Sequence, residues 1–152
     1  MKKSLGLLLC AALLSSASLA GPLEDQIRYR QSAYAFIGWN TARIKAQLDA
    51  AERYNKDQVS AAANAIAAAA NAGLGSLYGP GTDQGTGWRP SRLKPEFFQQ
   101  QAEAAQLAGA FNKEANELAR IAAGDDLAAV KQQFARLSET CKNCHSRFRT
   151  RE

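Results

Sequence analysis

Histidine and methionine are close to absent from this 152-residue chain. His145 and Met1 are the single examples of each, and cysteine occurs only three times. A structural zinc site wants four Cys or His ligands, and once Cys10 is set aside with the expected leader only three remain. Long apolar runs are missing too. The longest, Leu5 to Leu14, is about ten residues, whereas a membrane-spanning helix needs roughly twenty, so no span is expected. Charge of one sign is scarce as well: 19 Lys and Arg stand against 14 Asp and Glu. The basic residues are scattered along the sequence, which argues against a nucleic-acid partner.

The first twenty residues read as an export signal. Lys2 and Lys3 precede the short apolar stretch, and Ser18-Leu19-Ala20 supplies small residues for cleavage. Cys10 follows Leu9, not the small residue a lipoprotein site would want, so it is expected to leave with the leader. The mature chain is expected to begin at Gly21 and run to residue 152 as one domain with one core. Without Lys2 and Lys3 the basic count is 17 against 14 acids, a net charge of +3. Export places the chain in an oxidising compartment, the periplasm, where two nearby cysteines would pair unless something else claims them.

The mature chain reads as helix almost throughout. A first stretch, about Pro22 to Ala51, carries Ile27, Tyr34, Ile37, Ile44 and Leu48 at spacings of three, four and seven. Pro22 suits its first turn, and Glu24 and Asp25 suit the positive end of its dipole. Asn55 can cap a second stretch holding Val59, Ala63, Ile66, Ala70 and Leu77, whose alanine run favours helix and close approach. From Gly79 to about Lys94 the composition turns to Gly, Pro, Thr, Asp and Gln, a loop long for so small a domain. Pro95 can open a third stretch with Phe98, Ala105, Ala108, Phe111, Ala115 and Leu118 on one face, ending at Gly124. Asp125 or Asp126 starts the fourth, with the regular series Leu127, Val130, Phe134, Leu137, Cys141, Cys144 and Phe148. No strand candidate stands out. The fold expected is all-α, an antiparallel four-helix bundle.

Cys141-Lys142-Asn143-Cys144-His145 is C-x-x-C-H, the signature of c-type haem attachment. Residues three apart share a helix face, so both sulfurs can bond the vinyl-derived carbons along one side of a porphyrin. His145 can then point its imidazole at the iron. Thioether bonds would also explain two cysteines that need not pair as cystine. A thioredoxin-like dithiol usually sits beside a βαβ pattern, and there is none. A plain disulfide or a redox dithiol are the readings left beside one covalent haem c per chain.

With its motif on the last helix, the chain resembles the cytochromes c′, four-helix bundles with a C-terminal C-x-x-C-H. The likeness runs through Arg30-Gln31-Ser32-Ala33-Tyr34 and Phe36-Ile37-Gly38-Trp39-Asn40, then Tyr78-Gly79-Pro80-Gly81-Thr82. It continues in Lys94-Pro95-Glu96-Phe97-Phe98 and in Cys141 to His145 with Arg149. The resemblance implies a periplasmic, high-spin haem protein that carries electrons or binds nitric oxide and carbon monoxide. It also implies a homodimer packed through helices one and two. Arg30 and Gln31 would meet the haem propionates, although a bundle-edge arginine can also snorkel to solvent. Tyr34 would lie over the iron's open face, where spacing alone makes it a core tyrosine. Arg149 would lie near the imidazole, or complement the helix dipole with Arg147 and Arg151. Lys94 could reach a propionate or remain solvated. Trp39 and Trp88 read as packing residues, Trp39 also suiting a subunit contact. With no second histidine to serve as acid or base, no enzyme activity is expected.

Overall fold

A computed structural model describes residues 22–151. The expected leader, and its cleavage after Ala20, lie outside the described residues. Helix α1 spans Leu23–Asp49, α2 Lys56–Ala70, α3 Glu96–Gln99, α4 Gln101–Ala122 and α5 Leu127–Phe148, with short 3-10 turns at Ala51–Arg53 and Leu74–Leu77. The four long helices form the bundle.

Local chemistry sets the ends of these helices. Pro22 sits at the N-cap of α1, with Glu24 and Asp25 in its first turn. Asn55 accepts a bond from Gln58 N at 3.0 Å, and Asp126 accepts one from Ala129 N at 2.9 Å, each satisfying an otherwise orphan amide. Helix α2 stops short of Gly73, whose φ of 69° suits glycine. Leu77 therefore lies on a separate turn and not on α2, contrary to the sequence expectation. The third stretch is also broken: Gln100 (φ −123°, ψ 47°) separates α3 from α4. Ala104, Ala115, Leu118 and Ala122 of α4 face inward, whereas Ala105 and Ala108 are exposed, contrary to the sequence expectation.

The core joins Ile37 and Ile44 of α1 to Val59, Ala62, Ala63 and Ile66 of α2, Ala115 and Leu118 of α4, and Val130 and Leu137 of α5. Small alanines let α2 approach its neighbours closely. Helix pairing runs α1 with α2, α2 with α4 and α4 with α5. Helices α5 and α1 make no comparable approach, so the ring is open along one seam. Tyr34 faces that seam and is 38 % exposed, although it lies on the same stripe as the fully buried Ile27.

The loop between α2 and α3 folds back across α1. Gln31 Oε1 accepts from Trp88 N at 2.8 Å, and Gln31 Nε2 donates to Arg89 O at 2.8 Å. Gly87 fits there because a Cβ would come within 2.7 Å of Arg28 N. Trp88 is 67 % exposed, with its Nε1 bonded to Ser32 Oγ at 2.7 Å, so it braces the surface and does not pack in the core as the sequence suggested. Trp39 is likewise exposed, under the Arg43 guanidinium.

Candidate functional site

Helix α5 carries Cys141, Cys144 and His145 in its last two turns. The two thiols are half-buried and not joined in a disulfide. They lie three residues apart on one face, and both act electrostatically on Tyr34 across the seam. Burial pushes both thiols above the ordinary cysteine range, and Cys141 adds a further push on Cys144. Burial lowers the pKa of His145 below the usual histidine value, and the charges of Arg149 and Arg92 lower it further. A neutral imidazole is the form that ligates a metal. Among the described residues no three His, Cys, Asp or Glu side chains converge on a single point. The donor set is instead a linear edge of two sulfurs followed by one imidazole. That arrangement fits a flat macrocycle attached along one side.

The opposite wall is aromatic. Burial pushes the Tyr34 phenol above the usual tyrosine pKa and the Tyr78 phenol well above it, and the two act on each other electrostatically. The Tyr78 ring stacks on Phe97 with centroids 4.7 Å apart, and the Arg30 guanidinium carbon lies 4.6 Å from its centroid. Phe97 in turn meets Phe98 and Phe148 edge to face, each at 5.5 Å. The fold thus brings Tyr34 and the two thiols to one seam.

Arg30 points inward and is 7 % exposed. Its Nη1 donates to Leu77 O (2.9 Å) and Thr82 Oγ1 (3.0 Å), and its Nη2 to Thr82 O (2.8 Å) and Ser91 Oγ (3.2 Å). Burial lowers its pKa, partly offset by Tyr78, Tyr34 and Asp83. Arg30 and Gln31 therefore both tie the long loop to α1. Lys94 Nζ donates to Ser146 O (3.4 Å) and Arg147 O (3.2 Å), complementing the C-terminal end of α5. Arg149 leaves the helix in extended conformation and pairs with Leu93 as an isolated antiparallel bridge. Together with Arg92, Lys94, His145 and Arg151 it lines a cavity of about 640 Å³.

Tyr78, Thr82, Phe97 and Ser91 had no assigned role in the sequence. Tyr78 and Thr82 lie within the Tyr-Gly-Pro-Gly-Thr stretch, the one signal that could have singled them out.

The sequence profile of the family described as Cytochrome C′ matches residues 25–149. A cytochrome c′ of Rhodocyclus tenuis is 52 % identical over 129 residues, 85 % of this chain and 96 % of that one. A solved cytochrome c′ with ligand-controlled dimer dissociation superposes with a TM-score of 0.82 at 46 % identity, covering 86 % of this chain and 98 % of its own. A cytochrome c′ variant from Alcaligenes xylosoxidans in its nitric oxide complex gives a TM-score of 0.76 at 25 % identity, covering 86 % and 98 %.

Proposed function

Because the chain belongs to the cytochrome c′ family, we propose that it is a periplasmic monohaem electron-transfer protein with one axial position of its iron open. Haem c is the cofactor that family holds covalently. When bound, it supplies a one-electron iron couple and an axial site for a small ligand. Cys141 and Cys144 form the thioethers, and His145 ligates the iron. Arg30 and Gln31 hold the long loop beside the site, Lys94 is the cation left to serve the propionates, and Arg149 stands by the imidazole. Tyr34 narrows the seam from the other side, with Tyr78 beside it.

One observation carries the open position: His145 is the only histidine and Met1 the only methionine. No imidazole or thioether remains for a second axial bond. A lysine would have to lose a proton and its hydration first. The pKa of Tyr34, raised first by burial, keeps its phenol protonated and poorly suited to ligate. The test is electron paramagnetic resonance and absorption spectroscopy at pH 7 in both oxidation states. Ferrous protein should be high-spin and ferric protein high-spin or spin-mixed, and a clean low-spin six-coordinate spectrum overturns the reading.

A second reading is sequestration of nitric oxide or carbon monoxide. It is favoured by the same scarcity of ligands, His145 being the only histidine and Met1 the only methionine, which leaves the second axial position to a small molecule. An apolar opening admits neutral diatomics more readily than anions, whose hydration must be stripped. The outer face of α1 exposes Tyr29, Phe36 and Trp39, which supports a homodimer through α1 and α2. No helix among the described residues is long and apolar enough to cross a membrane.

A further inference from the structure

Among the described residues Arg30 is the one charged side chain that is buried. Ion pairs of this chain such as Arg28 with Asp25, Lys56 with Asp125 and Arg147 with Glu103 lie at the surface, with both partners at least partly exposed. A buried cation is costly unless an anion meets it. None meets this one. Its four bonds go to Leu77 O, Thr82 O, Thr82 Oγ1 and Ser91 Oγ, each a neutral acceptor. Its ring contact is Tyr78, whose phenol burial keeps neutral. Asp83 acts on it electrostatically without an ion pair, and less than Tyr78 and Tyr34 do.

The loop thus satisfies the guanidinium's hydrogens and leaves its charge. Neutral acceptors turn their dipoles toward the cation but cannot cancel a net charge. Nor does a guanidinium escape burial by losing its proton, as a lysine can. The charge also reaches the seam. Arg30 stands one helical turn before Tyr34 on α1, and it acts on that phenol, as Cys141 and Cys144 do from α5. A fixed positive charge therefore lies beside the place where the thiols would hold a haem.

We propose that Arg30 sets the reduction potential of the haem iron, its buried and unpaired charge favouring ferrous iron, which carries one positive charge fewer than ferric. This rests on the electron-transfer reading above and gives Arg30 a role beyond holding the loop. The step it biases is the reduction of ferric to ferrous iron by one electron from an external donor, with no bond formed or broken. A unit charge acting over about 10 Å at an effective dielectric near ~20 changes such an equilibrium by about tenfold.

The test is a spectroelectrochemical titration of the holoprotein and its variants with small redox mediators. Arg30→Gln removes the charge and keeps a polar head. Arg30→Met fills the site with an apolar chain, a replacement a buried charge often tolerates, and serves where Arg30→Gln does not fold. Either should shift the ferrous-to-ferric ratio about tenfold toward ferric, a midpoint lower by about 59 mV for one electron. Arg30→Lys keeps the charge without the fork, so its ratio should stay within about twofold although urea unfolding shows it destabilised. Arg28→Gln removes the same charge from a paired, partly exposed site and should also stay within about twofold. The Arg30 shift should persist in roughly 0.5 M salt, which screens exposed charges much more than buried ones. A neutral variant within twofold of the parent would overturn the proposal. So would an equal fall in Arg30→Lys, because a loosened loop and not the charge would then set the potential, or an equal fall in Arg28→Gln, because net charge alone would suffice. A parent haem that the mediators cannot cycle overturns the electron-transfer reading as well, whereas one that cycles at the same midpoint in every variant overturns this proposal alone.

Discussion

Replacing Arg30 by alanine should destabilise the protein by about 3–4 kcal/mol. The guanidinium is 7 % exposed, and four of its hydrogens bond acceptors on the long loop. Some acceptors keep a second partner: Thr82 O still accepts from Ser91 Oγ at 2.7 Å, and Thr82 Oγ1 still donates to Gly79 O at 2.8 Å. Leu77 O loses its charged donor, and Thr82, fully buried, loses two. Net values of roughly 1.5–3 kcal/mol for a bond to a charged group, reduced because the cation's desolvation is relieved, bring the hydrogen-bond loss to about 2–3 kcal/mol. The void beside Tyr78 adds about 1 kcal/mol. Against a total stability of roughly 5–15 kcal/mol this is a large loss, about 10–15 °C in Tm. Arg30→Lys keeps one charge but not the fork, and should cost about half as much. Urea unfolding of the holoprotein by circular dichroism measures the loss, and amide exchange at residues 77–91 localises it. A loss below about 1 kcal/mol with unchanged exchange there would refute the assignment of Arg30 as the loop's anchor.

Tyr34→Ala should raise the association rate of carbon monoxide, read by stopped-flow absorption, because the seam widens without loss of His145; unchanged kinetics would place the ring outside the ligand's path. Tyr34, Tyr54 and Tyr78 all have raised pKa values, first through burial, so the folded state favours the neutral phenols. The stability they contribute is present below the unfolded value of about 10 and is lost as pH rises past it. Difference absorbance near 295 nm should show tyrosines that ionise only on unfolding, and full reversible ionisation of every tyrosine by about pH 11 would contradict the burial. Asp126→Ala should cost about 1 kcal/mol in urea unfolding by removing the bond to Ala129 N, and no change would show that the cap is dispensable.

The bundle was legible because its signals are local. The Asn55 and Asp126 caps and the regular α5 series from Leu127 to Phe148 depend on residues a few positions apart. The C-x-x-C-H motif from Cys141 to His145 is legible for the same reason. The break at Gln100 was not, because no proline or glycine marks it. Contacts made across the long loop were hidden as well. Arg30 reads as inward-pointing, but its acceptors at Leu77, Thr82 and Ser91 lie 47 to 61 residues away. The cavity beside His145 shares that character: its residues lie in two segments far apart in sequence that the Leu93–Arg149 bridge joins.

The central claim is covalent haem at Cys141 and Cys144, and mass spectrometry of a tryptic digest tests it most directly. Trypsin can cut after Arg136, Lys142 and Arg147, and the cut after Lys142 separates the two cysteines. With both thioethers formed, Leu137–Lys142 and Asn143–Arg147 should remain joined and carry the mass of one haem. The same two peptides joined with no added mass beyond a disulfide, or released as separate free thiols, would contradict the account.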